Sequence, residues 1–179
     1  ILKYREASRQ PECDAAVSDI VDQAIAHSDK SAPVELILDE LNQPNSIKKK
    51  MVEEFNNILQ LFKFNLRGSD IFRNWYIDGR CYFHVLIDDK NPKRGIIELR
   101  PVEPLALTKV KEIAKKTDPK TKVEFEEIIS EYYVYSEKYQ TKSSGKNANL
   151  GGVKISKDAI ISANSGITDP TRTRIVSHV

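Results

Sequence analysis

The chain has 179 residues, 40% hydrophobic and 30% charged, and a formal net charge of +2 from 28 basic and 26 acidic side chains. This length suffices for one medium domain or two small ones with a buried core, and the composition excludes a disordered or fibrous protein. Because the charges are nearly balanced and spread along the chain, a protein that depends on phosphate contacts is not expected.

The first part of the sequence predicts helices. Pro11 suits a first turn, and apolar side chains then recur at helical spacing to about Ser28. Alternating apolar residues at 34–38 predict one short strand, and the turn-rich residues 42–45 lead into a second helix. The buried face of this second helix is expected to consist of Ile47, Met51, Val52, Phe55, Ile58, Leu59 and Phe62.

A third helix is predicted before the β structure begins. Gly68 is expected to end the second helix, and Ser69 and Asp70 to cap the third. Its apolar residues are Ile71, Phe72, Trp75 and Tyr76. Of these, Ile71, Phe72 and Trp75 are expected to lock the helix onto the sheet that follows.

Strands dominate from Asp78-Gly79 onward. Residues 80–88 predict a strand covered on both faces, and the turn at 88–95 joins it to a second strand at 96–102 in a wide hairpin. Further strands are expected at residues 105–113, 129–136 and 153–161.

These elements predict an α+β fold with an antiparallel, hairpin-built β part. Residues 1–79 form a helical segment with one short strand, residues 80–163 a β-rich segment, and residues 164–179 a connection to a part beyond the chain. The stretch 141–152, rich in Ser, Gly, Asn and Lys, is expected to be a mobile loop. Because the chain begins with Ile1 rather than Met, we expect an internal fragment of a longer protein.

No catalytic, metal or cofactor site is predicted. His27, His84 and His178 are far apart in sequence, and Cys13 and Cys81 fit no metal-ligand spacing. Both cysteines are expected to be buried free thiols, which favours a reducing compartment. Glycine-rich phosphate loops and GxSxG motifs are absent from the sequence.

One catalytic alternative stays open. Asp78, His84, Asp88 and Asp89 carry the groups with which a metal-dependent nuclease could hold a cation. The aspartates stand where turns favour acidic residues, so turn chemistry is the preferred interpretation. His84 is expected to be a hydrogen-bonded structural histidine.

A second alternative is a nucleic-acid-binding module with a basic loop, working through Lys142, Lys146 and Lys154. The other basic runs, at 48–50 and 109–116, are interleaved with or followed by acidic residues and favour solvated faces. Base stacking by aromatic residues is disfavoured, because they alternate with aliphatic ones as in a core. They are Trp75, Tyr76, Tyr82, Phe83, Tyr132, Tyr133 and Tyr135.

Residues 71–84, IFRNWYIDGRCYFH, resemble the portal vertex protein (head-to-tail connector) of large contractile-tailed double-stranded DNA bacteriophages. In that family a helix ending in this pattern feeds a hairpin whose second strand is similar to residues 97–104, IELRPVEP. The early helix at 11–25 and the approach to later helices at 164–178 are similar too. The resemblance spans the chain except for two stretches without an alignable pattern, residues 115–128 and 140–152.

The resemblance implies a structural, non-enzymatic subunit of a twelve-membered ring without cofactors. The ring stands at one capsid vertex, starts head assembly and forms the channel for DNA packaging and ejection. The partners implied are further copies of the subunit, major capsid protein and scaffold, the large terminase subunit, and neck or head-completion proteins. Double-stranded DNA passes through the channel with little contact to this part.

The resemblance also implies a place for this part of the subunit. The peripheral wing of the ring comes from the earlier part of such chains, and the stem, clip and channel-lining helices follow. The expected location is the virion, after synthesis in the host cytoplasm and head assembly at the host inner membrane.

Overall fold

A computed structural model describes residues 1–25, 33–117, 124–137, 152–171 and 174–179. The helices are α1 (Leu2–Ala7), α2 (Pro11–Ala24), α3 (Asn45–Phe62) and α4 (Phe64–Asp78). The strands are β1 (Arg80–Ile87), β2 (Ile96–Val102), β3 (Leu107–Thr117), β4 (Glu124–Tyr135), β5 (Val153–Ser156) and β6 (Ile160–Asn164). Helices are thus followed by antiparallel strands, which confirms the predicted α+β fold.

The prediction of a short strand at residues 34–38 is wrong. Residues 35–38 have no regular secondary structure and pair with no strand among the described residues. Leu36 and Ile37 are 37% and 78% exposed, so the alternation of apolar residues here does not reflect burial on one face of a sheet. Helices α2 and α3 are confirmed, although the predicted end of the first at Ser28 lies outside the described residues.

The break between α3 and α4 lies at Lys63, not at Gly68. Lys63 has φ 52°, and this left-handed residue ends one helix while its amide still bonds Gln60 O at 2.9 Å. Gly68 is buried inside α4, where a Cβ would lie 3.0 Å from the Phe64 ring. The glycine therefore serves close packing, which a single sequence does not distinguish from a helix stop.

The strands form two three-stranded antiparallel sheets, ordered β2-β1-β6 and β3-β4-β5. The hairpin predicted between residues 80 and 102 is confirmed. The single strand predicted at 153–161 is instead two strands in different sheets, separated by a 3₁₀ turn at Lys157–Ala159. This short segment joins the two sheets.

Two apolar clusters hold these layers together. Val17, Val21 and Ile77 join α2 to α4, and Leu107, Tyr133 and Ile160 join the sheets. Residues that pack against the first cluster are Tyr4, Phe72, Tyr76 and Val179.

Trp75 is half-buried beside Phe72 and His178, at ring-centroid distances of 5.5 and 5.0 Å. Phe72 lies on α4 itself and His178 in the last residues of the chain, so both ring neighbours are outside the sheets. The anchoring of α4 to a sheet through Trp75 stays a prediction. Among the described helices, none has the length and apolarity needed to cross a membrane.

Candidate functional site

The turn between α4 and β1 meets the last residues of the chain in a region that we call the junction, formed by residues 76–80, 103, 165 and 174–179 with Arg5. Gly79 has φ 71°, and a Cβ on it would lie 2.6 Å from Val176 O. Ser165 donates its amide to Gly79 O at 2.8 Å and its hydroxyl to Val176 O at 2.6 Å. Only glycine allows this backbone approach.

Arg5 forms the charged part of the junction. Its Nε donates to Asp78 Oδ1 at 2.8 Å, and its Nη2 donates to Asp78 Oδ2 at 2.6 Å and to Glu103 Oε1 at 2.7 Å. The Asp78 hydrogen bond raises the pKa of the Arg5 guanidinium. Asp78 is only 3% exposed, so its carboxylate is buried. Through Asp78 and Glu103, Arg5 joins α1 to α4 and to the segment after β2.

Tyr76 connects the final segment to α4. Its carbonyl accepts hydrogen bonds from Ser177 Oγ at 3.2 Å and from the His178 amide at 3.3 Å. The rings of Tyr76 and His178 stack with centroids 4.8 Å apart. Arg80 adds a bond from Nη2 to Ile175 O at 2.8 Å. Backbone, hydroxyl and ring contacts together fix residues 175–179 on the helix.

A second charged cluster lies on the other sheet. Glu131 on β4 is approached by Lys109 and Lys111 of β3 at 3.5 and 3.3 Å, and by Lys157 at 3.0 Å. The hydrogen bond from Lys157, then that from Lys111 and the charge of Lys109, lower the pKa of Glu131 to about 2. Three lysines around one carboxylate connect the long hairpin to the 3₁₀ turn.

A cavity of about 780 Å³ lies between α3, α4 and the β1–β2 hairpin. Its charged lining groups include Arg5 with Asp78 and Arg73 with Asp14, and both are ion pairs. These two carboxylates therefore already have cationic partners.

The four residues of the nuclease alternative do not converge. Asp78 and Asp88 lie beyond opposite ends of β1, whose eight residues span about 26 Å. Asp88 Oδ1 accepts the Lys90 amide at 2.9 Å, as a turn aspartate does. Over the described ranges, no three His, Cys, Asp or Glu residues are placed to hold a metal ion.

His84 is half-buried in the middle of β1, and its side chain makes no hydrogen bond to any residue that the structure describes. The expectation of a hydrogen-bonded structural histidine stays a prediction, and His27 lies outside the described residues.

Of the three lysines in the basic-loop alternative, Lys142 and Lys146 lie outside the described residues, as does most of the predicted mobile loop. Lys154 Nζ sits 3.7 Å from the centroid of the Tyr132 ring. Its charge is thus engaged on its own sheet. Cys13 and Cys81 are free thiols and half-buried rather than fully buried, and burial raises the pKa of Cys81.

Sequence reasoning missed the residues that build the junction. Arg5 pairs with Asp78 across 73 positions and with Glu103 across 98, and Ser177 reaches Tyr76 across 101. No spacing rule connects residues so far apart. The local signal in this region is the Asp78-Gly79 pair, which by itself predicts a turn and does not indicate an ion-pair partner.

The family model described as Bacteriophage T4-like portal protein (Gp20) matches residues 1–179. A portal protein of Vibrio phage KVP40 is 36% identical over 173 residues, covering 93% of this chain and 32% of the relative. A portal protein of Salmonella phage ViI is 28% identical over 155 residues, covering 84% of this chain and 28% of the relative. The chain thus spans about a third of the length of these relatives.

Proposed function

The chain belongs to the family of bacteriophage T4-like portal proteins, and we propose that it forms the wing of one subunit in a twelve-membered ring at a single capsid vertex. The observation that carries this proposal is the match of one portal family across every residue of the chain. In this proposal the ring starts head assembly and provides the channel for packaging and ejecting the genome.

The geometry supports a scaffold. Polar groups of the junction fasten one segment to another, as Arg5 does with Asp78 and Ser165 with Val176. An enzyme instead keeps some acid, base or nucleophile free to meet a substrate in a cleft. We therefore assign this chain no catalytic role, and energy for packaging comes from a separate motor.

The proposed partners are other copies of the subunit, capsid and scaffold protein, the large terminase subunit and neck proteins. Direct contact with DNA is small, because the net charge is +2 and the Lys109, Lys111 and Lys157 charges are shared with Glu131. The proposal places the chain in the virion. The proposal does not include the expected head assembly at the host inner membrane, because no observation supports it.

Electron microscopy and native mass measurement of the full-length protein test this function. We expect rings of twelve subunits without magnesium-dependent cleavage of DNA. A monomer that cleaves DNA and loses this activity in His84→Gln would contradict the portal assignment and favour the nuclease. Tight, salt-sensitive DNA binding by the monomer would instead favour the basic-loop module.

A further inference from the structure

A further cavity, of about 450 Å³, lies between the two sheets, and we call it the intersheet cavity. Strands β1 and β6 line it from one sheet and β3 and β4 from the other. Its lining side chains that can donate a hydrogen bond are Arg80, Tyr82, Lys109, Lys111, Tyr133, Ser162 and Asn164. Three of these side chains are cationic, and none of the described lining residues is acidic.

The register of β1 with β6 places four of these groups on one face of the first sheet. Arg80 stands opposite Asn164, and Tyr82 stands opposite Ser162. Residues opposite each other in neighbouring strands point to the same face, as do residues two positions apart on one strand. Burial raises the pKa of Tyr82, so its hydroxyl keeps its proton at neutral pH and can donate.

The second sheet contributes the lysines. Lys109 lies opposite Tyr133 in the register of β3 with β4, and Lys111 follows two positions later on the same face. The rings of Tyr82 and Tyr133 meet edge to face with centroids 5.9 Å apart. This contact holds the two faces close together, so cationic groups from separate sheets converge on one cavity.

Arg80 has no ion-pair partner among the described residues. Its Nη2 donates to Ile175 O at 2.8 Å, while its buried Nε bonds to no group that the structure describes. The carboxylate of Asp78, two positions earlier, is held by Arg5 instead. An unsatisfied buried donor on a charged group is costly, and buried donors in folded proteins usually bond to protein, to water or to an ion.

The lysines of the intersheet cavity carry more positive charge than the neighbouring carboxylate balances. Lys109 and Lys111 lie 3.5 and 3.3 Å from Glu131, which Lys157 also approaches at 3.0 Å. One carboxylate does not neutralise three ammonium groups. Because an ammonium group has several N–H donors, Lys109 and Lys111 can each bond a further acceptor.

We infer that the intersheet cavity binds an oxyanion, a phosphate or carboxylate group, between Arg80 on one sheet and Lys109 and Lys111 on the other. Arginine and lysine both form strong charge-assisted hydrogen bonds with such groups. The Tyr82 hydroxyl and the Asn164 amide can donate to further oxygen atoms of the ligand. The site lies within one subunit and does not depend on ring assembly.

Two sources can supply the oxyanion. One is inorganic phosphate from solution, and the other is an acidic side chain elsewhere in the full-length protein. The second source is open because the chain spans about a third of the length of its relatives.

Equilibrium dialysis of the full-length protein against radiolabelled inorganic phosphate tests the first source. We expect one bound phosphate per subunit, and an affinity that falls about tenfold or more in Lys109→Gln with Lys111→Gln, which removes two charge-assisted contacts. This variant leaves the bond from Arg80 to Ile175 in place. The matched control, Lys49→Gln with Lys50→Gln, removes the same charge from the exposed side of α3 and keeps the wild-type affinity.

A structure of the full-length protein at side-chain resolution tests the second source. If an acidic side chain fills the cavity, its carboxylate lies within hydrogen-bond distance of Arg80 and of one lysine, and phosphate does not bind. The inference is overturned by a protein that binds no phosphate and has no carboxylate in the cavity. Phosphate binding that the Lys109 and Lys111 replacements leave unchanged, or weaken no more than the control does, also overturns it. Both of these results leave the proposed ring standing.

Discussion

Arg5 binds both oxygens of the Asp78 carboxylate, with its Nε 2.8 Å from Oδ1 and its Nη2 2.6 Å from Oδ2. The carboxylate is almost fully buried, whereas about a third of the arginine side chain is exposed. The pair joins the first helix of the chain to the turn that starts the β part.

Asp78→Asn is expected to lower the free energy of unfolding by about 1.5–3 kcal/mol, because it removes the charge from two charge-assisted hydrogen bonds. The cost stays below that of an isolated buried charge, since Arg5 keeps Glu103 and partial access to water. Urea denaturation measures the change. Glu98→Gln is the control, because its pair with Arg100 is exposed on both sides and should contribute less than about 1 kcal/mol.

Gly79→Ala is expected to destabilise the protein by more than the roughly 1–2 kcal/mol of left-handed strain alone. The added Cβ would also approach Val176 O to 2.6 Å and push the final segment away from the junction. Gly166→Ala is the matched control, since its φ is 74° with nothing within 4 Å of a Cβ. Equal losses of thermal stability in the two variants would show that the close approach contributes nothing.

The lowered pKa of Glu131 predicts that the folded protein loses stability in acid. Its pKa is lowered to about 2 in the folded state, while an unfolded glutamate titrates near 4.3. The stabilisation from this group is therefore complete above about pH 5 and is lost as the pH falls towards 2. In Glu131→Gln, stability should fall less between pH 5 and 2 than in the wild type. Parallel pH profiles from denaturant titrations would refute the role of the lysine cluster.

Tyr133→Ala should destabilise the protein more than Trp75→Ala, although tryptophan is the larger residue. Tyr133 is 3% exposed between the two sheets, so its truncation leaves a cavity and costs about 3–5 kcal/mol. Trp75 is half-buried, and its loss should cost roughly 1–2 kcal/mol from reduced apolar burial. Calorimetric unfolding of both variants tests the order, which the reverse ranking would contradict.

Local patterns in the sequence were sufficient for most of the secondary structure. The apolar spacing after Pro11 and from Ile47 to Phe62 predicted α2 and α3, and the hairpin of β1 and β2 followed from its turn. Helical periodicity and turn chemistry act over a few residues, so one sequence carries them. The same locality explains the wrong helix end at Gly68, because a glycine that stops a helix and one that makes room for Phe64 look alike.

By itself the sequence determined that helices precede antiparallel strands and, through its resemblance to a phage family, the family to which the protein belongs. Only the tertiary structure decided that residues 153–161 divide between two sheets, that Arg5 meets Asp78, and that the last residues return to Tyr76. These contacts join positions separated by some 70 to 100 residues. Their geometry depends on how whole elements pack, and no periodicity along the chain records that packing.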